Sequence, residues 1–400
     1  MSTRLASRLS TVAPSATLAM AARAAKLREQ GHRVFAFGVG EPDFATPASI
    51  RDAAKKALEG GGASHYTAVT GTAALKKAIC AATVRDRGWQ PATDQVVVSC
   101  GAKHALFNLA LALYEPGDEV IIPAPYWVSY PEQVRLVGAT PVIVPTREED
   151  NWLLSEDVLG KAVTPRTKAI ILCTPSNPTG AAYPRERLLA LARVLSSTDA
   201  YVIVDEIYAE LVYDDFKHYS LAALVPDLRD RLVVVDGVSK TYAMTGWRIG
   251  WSISPPALAK ALDVIQGQST TNPTALSQEA AVQALTGPRD EVAHMRAAFA
   301  ERRKRMVQGL GSVPGIRCRM PDGAFYAFAD VRGLLGLRAG EKTLATDEDV
   351  AFWLLDTAHV AAVPGTPFGA PGYLRFSYAS SLETIDEGIA AIRQAVTQAR

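Results

Sequence analysis

Ser239-Lys240-Thr241-Tyr242-Ala243-Met244-Thr245-Gly246-Trp247-Arg248-Ile249-Gly250 sets one lysine shortly after the apolar run at residues 232–235 and ahead of a helix-breaking glycine. Desolvating an ammonium is costly, so a lysine in a partly buried site gives up its proton more easily, and the neutral amine can condense with an aldehyde to a Schiff base. Taken alone, a lysine after a strand is more often a solvated surface residue. Arg248, close by in the chain, shifts the balance, because its planar cationic fork is the shape that grips phosphate.

Working outward from this segment, short apolar runs alternate with helical patterns between about residues 90 and 255, as expected for a parallel sheet covered by helices on both faces. Strands are predicted at 95–99, 119–122, 140–144, 169–172, 201–204, 232–235 and 249–254. Their ends matter most, since ligands of open α/β sheets gather beyond the carboxyl ends of strands. After Pro255 the pattern becomes α+β: helices at 257–264, 276–284 and 292–310, a strand pair near 317–319 and 324–329, a helix, strands near 360–363 and 373–377, and a closing helix around 382–398.

Four segments at these strand ends carry candidate chemistry. Ser99-Cys100-Gly101-Ala102-Lys103 opens a helix, so the backbone N–H groups at Gly101 and Ala102 can cradle an anion, although a tight turn needs glycine regardless of any ligand. Tyr201-Val202-Ile203-Val204-Asp205-Glu206-Ile207-Tyr208 ends a buried strand in a carboxylate, which either pairs with a cation or caps the next turn. Cys173-Thr174-Pro175-Ser176-Asn177-Pro178-Thr179-Gly180 reads as a turn, with a cis bond expected at Asn177–Pro178. Tyr373-Leu374-Arg375-Phe376-Ser377 places an arginine in an apolar strand, where it must meet an anion, either an acidic side chain or a ligand.

The Ser239–Gly250 stretch resembles the cofactor-lysine signature of class I and II aminotransferases, in the branch of bacterial aspartate aminotransferases that includes prephenate-using members. The resemblance runs from Pro14-Ser15-Ala16-Thr17 through His65-Tyr66-Thr67 and Pro364-Gly365-Thr366-Pro367-Phe368 to the Arg375 strand. It implies a pyridoxal phosphate-dependent transferase of fold type I, with a large domain at 45–290 whose mostly parallel sheet lies between helices. A smaller, discontinuous α+β domain would comprise 1–44 and 291–400. It also implies pyridoxal 5'-phosphate held by Lys240, Ser239, Arg248, Gly101 and Ala102, with Asp205 on the pyridine nitrogen, Tyr208 and Asn177 on the phenolate oxygen, and Trp127 stacked on the ring. Arg375 and Gly40 would take the substrate α-carboxylate, with Asn177 and Trp127 also touching substrate. Lys103 would help hold a distal carboxylate, and Tyr66 would reach the phosphate of the other subunit in a homodimer with shared sites.

The implied reaction is ping-pong transfer of an amino group from an L-amino acid, with L-aspartate expected, to 2-oxoglutarate. Aromatic amino acids, prephenate or alanine are the alternatives, and a pyridoxal phosphate lyase or decarboxylase could use the same lysine. Two departures stand out: Gly237 replaces the first serine of the family's Ser-x-Ser-Lys pattern, and Ala13 stands where relatives often carry lysine. The first removes a phosphate hydrogen bond, and the second bears on prephenate use.

Composition narrows the partners. Lys+Arg of 42 against Asp+Glu of 41 leaves +1 over 400 residues, so no charge excess points to nucleic acid or an anionic membrane. A regulator built on such a body would need an appended basic DNA-binding module, which the residues before Gly40 do not spell. No apolar run is long enough to span a bilayer, and residues 1–20 lack a signal-peptide core, so a cytoplasmic protein acting on small molecules is expected. Cys80, Cys100, Cys173 and Cys318 are spaced for neither disulfides nor zinc and are expected to be buried. The dispersed histidines suggest no metal.

Overall fold

The computed structural model describes residues 5–14, 16–340 and 342–399, so Ser15 of the Pro14–Thr17 run lies outside the described residues. A seven-stranded sheet is formed by β1 (Val96–Ser99), β2 (Glu119–Ala124), β3 (Thr140–Pro145), β4 (Thr167–Cys173), β5 (Tyr201–Asp205), β6 (Leu232–Gly237) and β7 (Gly250–Ile253). Its spatial order is β1-β7-β6-β5-β4-β2-β3. Every predicted strand of this region is present.

Their continuous apolar runs follow from burial on both faces. Val98, Leu172, Val204 and Val234 point into one apolar layer, whereas Val97, Ile171, Ile203 and Val235 point into the other. The first layer is filled by α1 (Ala73–Arg87), the helix Arg185–Ser196 and the helix Ala275–Thr286. The second is filled by α2 (Ala102–Leu113) and the helix Pro256–Gly267.

The direction of one strand differs from the parallel reading. β7 runs antiparallel to both β6 and β1, with Gly250 opposite Gly237 and Ser99. The connection from β6 to β7 holds a single 3-10 turn, Thr245–Trp247, and no α-helix of the kind a parallel crossover uses, and the chain turns back. The consequence is functional: Arg248, just before β7, lies at the same sheet edge as the carboxyl ends of β1, β4, β5 and β6.

A second sheet, ordered β10-β11-β9-β8, comprises β8 (Arg317–Cys318), β9 (Tyr326–Asp330), β10 (Val363–Pro364) and β11 (Tyr373–Ser377). The helices Asp290–Gly311 and Asp347–Ala358 pack on it, and the helix Leu382–Gln398 packs against both of them. The strand expected near 360–363 is split at Ala362. Val360–Ala361 instead pairs in parallel with Phe35–Ala36, while Val363–Pro364 joins β11. The N-terminal segment is thereby stitched to the C-terminal part. Among the described residues, no helix is long and apolar enough to cross a membrane.

Candidate active site

A cavity of about 360 Å³ opens at the sheet edge where β1, β4, β5 and β6 end. Lys240, Asp205, Asn177, Arg375, Tyr208, Trp127, Arg248, Ser239, Ala102, Lys103 and Gly40, all predicted from sequence, line it together. Two predicted residues do not. Gly101 sits behind the wall, and Tyr66 stands 90% exposed on the surface. Four of the lining side chains are cations and one is a carboxylate, so the cavity suits an anionic ligand.

Lys240 Nζ donates to the Gly40 carbonyl oxygen at 2.7 Å, across 200 residues of sequence. Burial pulls its pKa down from 10.5 to about 8; Glu41 opposes this shift, Arg248 and Arg375 reinforce it, and Asp205 opposes it. Asp205, 3% exposed, accepts from the Tyr130 hydroxyl at 2.7 Å through Oδ2 and from the Ile207 N–H at 3.2 Å through Oδ1. Burial pushes its carboxyl up to about 6, against the pull of those two hydrogen bonds and of Lys240. Asp205 makes no ion pair among the described residues. A cation placed beside it would restore its ionised form.

Arg375 answers the question its sequence raised. It is 2% exposed, yet no acidic side chain among the described residues meets it. Nη1 donates to Asn177 Oδ1 at 2.8 Å and Nη2 to the Gly38 carbonyl at 2.9 Å, while Nε is buried without a partner. The guanidinium also lies over the rings of Tyr326, 4.5 Å away, and Phe368, 5.1 Å away. Burial lowers its pKa. A buried cation held only by neutral groups is costly unless an anionic ligand completes it.

At the other end, α2 begins at Ala102, and Gly101 caps it at φ +91°, a conformation that excludes most side chains. A Cβ on Gly101 would come within 2.6 Å of Arg248 Nη2, so only glycine lets the guanidinium approach the helix start. Arg248 donates to the Cys100 and Thr245 carbonyls at 3.2 and 2.9 Å. The free N–H groups of the first helical turn, Ser239 and Arg248 form a fitting grip for a phosphate. Lys103 Nζ rests 4.9 Å from the centroid of the Trp127 ring. The donor set therefore fits a cofactor with an aldehyde, a basic ring nitrogen and a phosphate.

Gly237 is a packing requirement in this chain. A Cβ there would lie 2.9 Å from Ile249 O, 3.0 Å from Gly250 Cα and 3.1 Å from Ile207 Cδ1. Gly237→Ser is accordingly expected to force β6 and β7 apart and to lower unfolding free energy by about 1–3 kcal/mol, measurable by urea denaturation. An unchanged midpoint would contradict this reading.

Other residues join the site without having been picked out. Tyr130 reaches Asp205, and its ring meets Trp127 edge-on at 5.3 Å. The Trp127-x-x-Tyr130 spacing, which puts both on one side of a helical turn, was the available signal. The Tyr326 and Tyr208 hydroxyls hydrogen-bond to each other at 2.8 Å, and burial holds the Tyr208 phenol well above its usual pKa. Tyr326 carries no local signal, because its partner is distant in sequence. The expectation that all four cysteines are buried is corrected: Cys80 is, but Cys100, Cys173 and Cys318 are partly exposed, Cys173 into the cavity itself. The Asn177–Pro178 bond is cis, as expected.

Comparison with known proteins places this geometry. The family model "Aminotransferase class I and II" matches residues 32–392. An aspartate aminotransferase of Geobacillus stearothermophilus is 45% identical over 391 residues, covering 98% of both chains. An aspartate/prephenate aminotransferase of Nitrosomonas europaea is 43% identical over 392 residues, covering 97% of this chain and 98% of the relative. The crystal structure of the Rhizobium meliloti aspartate aminotransferase superposes with a TM-score of 0.96 at 41% identity, over 100% of both chains. With a matched family spanning most of its length and a cavity built around Lys240, Asp205 and Arg375, the chain belongs to the class I and II aminotransferases.

Proposed function

We propose that this aminotransferase uses pyridoxal 5'-phosphate to move the amino group of L-aspartate to 2-oxoglutarate by a ping-pong mechanism. The observation that carries the reading is Arg375, a buried cation without an acidic partner among the described residues, in the same cavity as a lysine of lowered pKa. When bound, the cofactor supplies a carbonyl for an amine and a ring that accepts the electrons released at the substrate Cα. Gly101, Ala102, Ser239 and Arg248 would hold its phosphate, Asp205 its ring nitrogen, Tyr208 and Asn177 its phenolic oxygen, and Trp127 its face.

Arg375 would hold the substrate α-carboxylate, assisted by Gly40, and Asn177 and Trp127 would line the substrate's path. Lys240 Nζ would take the proton from the substrate Cα and return it as the amino group is exchanged for an oxo group. Over a full cycle one amino acid becomes a 2-oxo acid and one 2-oxo acid becomes an amino acid, so atoms balance without an external oxidant. Lys103, the fourth cation lining the cavity, would take a second carboxylate, which supports the reading of an acidic substrate.

Tyr66, exposed together with Leu18, fits a surface covered by a second copy, so a homodimer with shared sites is part of the proposal. The stitching of Phe35–Ala36 to Val360–Ala361 supports a small domain of residues 1–44 and 291–400 beside a large one of 45–290. Unpaired cysteines suit a reducing compartment such as the cytoplasm.

The test is a panel of amino acids offered with 2-oxoglutarate, measuring kcat/KM for each. Aspartate is expected to lead. Preference for an aromatic or small apolar donor would overturn the assigned substrate, and sustained 2-oxo acid release beyond one equivalent per site without an acceptor would overturn transamination.

A further inference from the structure

Arg87, the last residue of α1, has a side chain only 8% exposed and spreads its guanidinium over three carboxylates. Nε donates to Glu206 Oε2 at 3.1 Å, Nη1 to Glu210 Oε1 at 2.5 Å and Nη2 to Asp236 Oδ2 at 2.9 Å. Each acid is a near neighbour in sequence of a site residue. Glu206 directly follows Asp205, Glu210 lies just beyond Tyr208, and Asp236 precedes Ser239 and Lys240 on the same strand end. None of the four charged residues lines the cavity.

Further charges surround this centre. Arg289 binds Asp86 Oδ2 at 2.9 Å and also Glu210, Arg85 binds Asp86, and the His218 ring lies 3.5 Å from Glu206 Oε2. Backbone bonds carry the arrangement onward. The Glu206 N–H donates to the Val235 carbonyl at 2.8 Å, and the Gly237 N–H donates to Asp236 Oδ1 at 2.7 Å.

We infer that Arg87 is a positioning residue for the aminotransferase reaction, holding Glu206, Glu210 and Asp236 together and thereby setting where Asp205, Tyr208 and Lys240 stand relative to one another. Three carboxylates gathered in a largely buried place repel, and among the described residues Arg87 is the cation that reaches all three and ties them into one geometry. A planar fork with five N–H donors does so; a lysine ammonium, a point charge on a flexible stem, cannot span the same three directions. The proposal rests on the reading of Asp205 and Lys240 as cofactor contacts.

The test compares the wild-type holoenzyme with Arg87→Lys and Asp236→Asn, the second keeping side-chain shape while removing one of the three carboxyl groups. For each, the pH midpoint of the visible cofactor band is titrated, and kcat and KM are measured separately. Displacement of the reacting groups by a fraction of an ångström is expected to lower kcat by about ten- to a hundredfold in Arg87→Lys with little change in KM, and to shift the band's midpoint. Asp236→Asn is expected to move the same two quantities in the same direction by less, and it decides the matter if Arg87→Lys does not fold. Variants that fold, keep kcat and midpoint at wild-type values and lose only thermal stability would overturn the inference. A wild-type protein without any visible band would instead refute the assigned cofactor.

Discussion

Replacing Lys240 by alanine is expected to lower turnover by at least about 10⁴-fold, the upper end of what a positioned general acid–base supplies. The variant should still fold, because Lys240 makes one hydrogen bond, to the Gly40 carbonyl, and relieves its own desolvation when removed. Its pH signature is specific. With a pKa near 8 in place of 10.5, the amine is substantially neutral in a range where an exposed lysine stays charged. Labelling of this amine in the cofactor-free protein should rise with pH and level off above about 8. The linked stability follows the same window: the unfolded chain binds this proton more tightly than the folded one, so the penalty on folding fades as pH rises from about 8 towards 10.5.

Arg375→Met should separate binding from folding. Loss of a buried, hydrogen-bonded charge contact to a substrate carboxylate costs about 2–5 kcal/mol, or roughly thirty- to five-thousand-fold in kcat/KM. The ligand-free protein should lose little stability. Removing the guanidinium eliminates a desolvated cation that meets no carboxylate among the described residues, which offsets the Asn177 Oδ1 and Gly38 carbonyl left without a donor. A change in unfolding free energy below about 2 kcal/mol together with the kinetic loss is expected. Full activity with L-aspartate would remove Arg375 from the substrate site; unfolding at room temperature would make it a structural residue.

Much of this site could be read from sequence because its parts are local. Asp205 ends, and Asn177 and Lys240 follow, strands that announce themselves by apolar runs, and strand ends of a mostly parallel sheet converge on one edge. Arg375 was conspicuous as a charge among apolar neighbours. What the chain does not spell locally is contact between distant segments. An apolar run has no direction, so the reversal of β7 became visible only through its pairing of Gly250 with Gly237. Tyr326 meets Tyr208 across 118 residues, and Arg87 meets Asp236 across 149, both through side chains that look ordinary in isolation. Gly237 looked like a lost hydroxyl, yet the close backbone of Ile249 shows that the site has no room for a side chain.

Under the proposed function Lys240, and no other amine, would be the covalent anchor of the cofactor. Borohydride reduction of the enzyme loaded with pyridoxal phosphate, followed by peptide mass mapping, tests it directly. The mass of the reduced cofactor is expected on the peptide carrying Lys240 alone, with loss of the visible band. Labelling spread over surface lysines, or concentrated on Lys103, would contradict it.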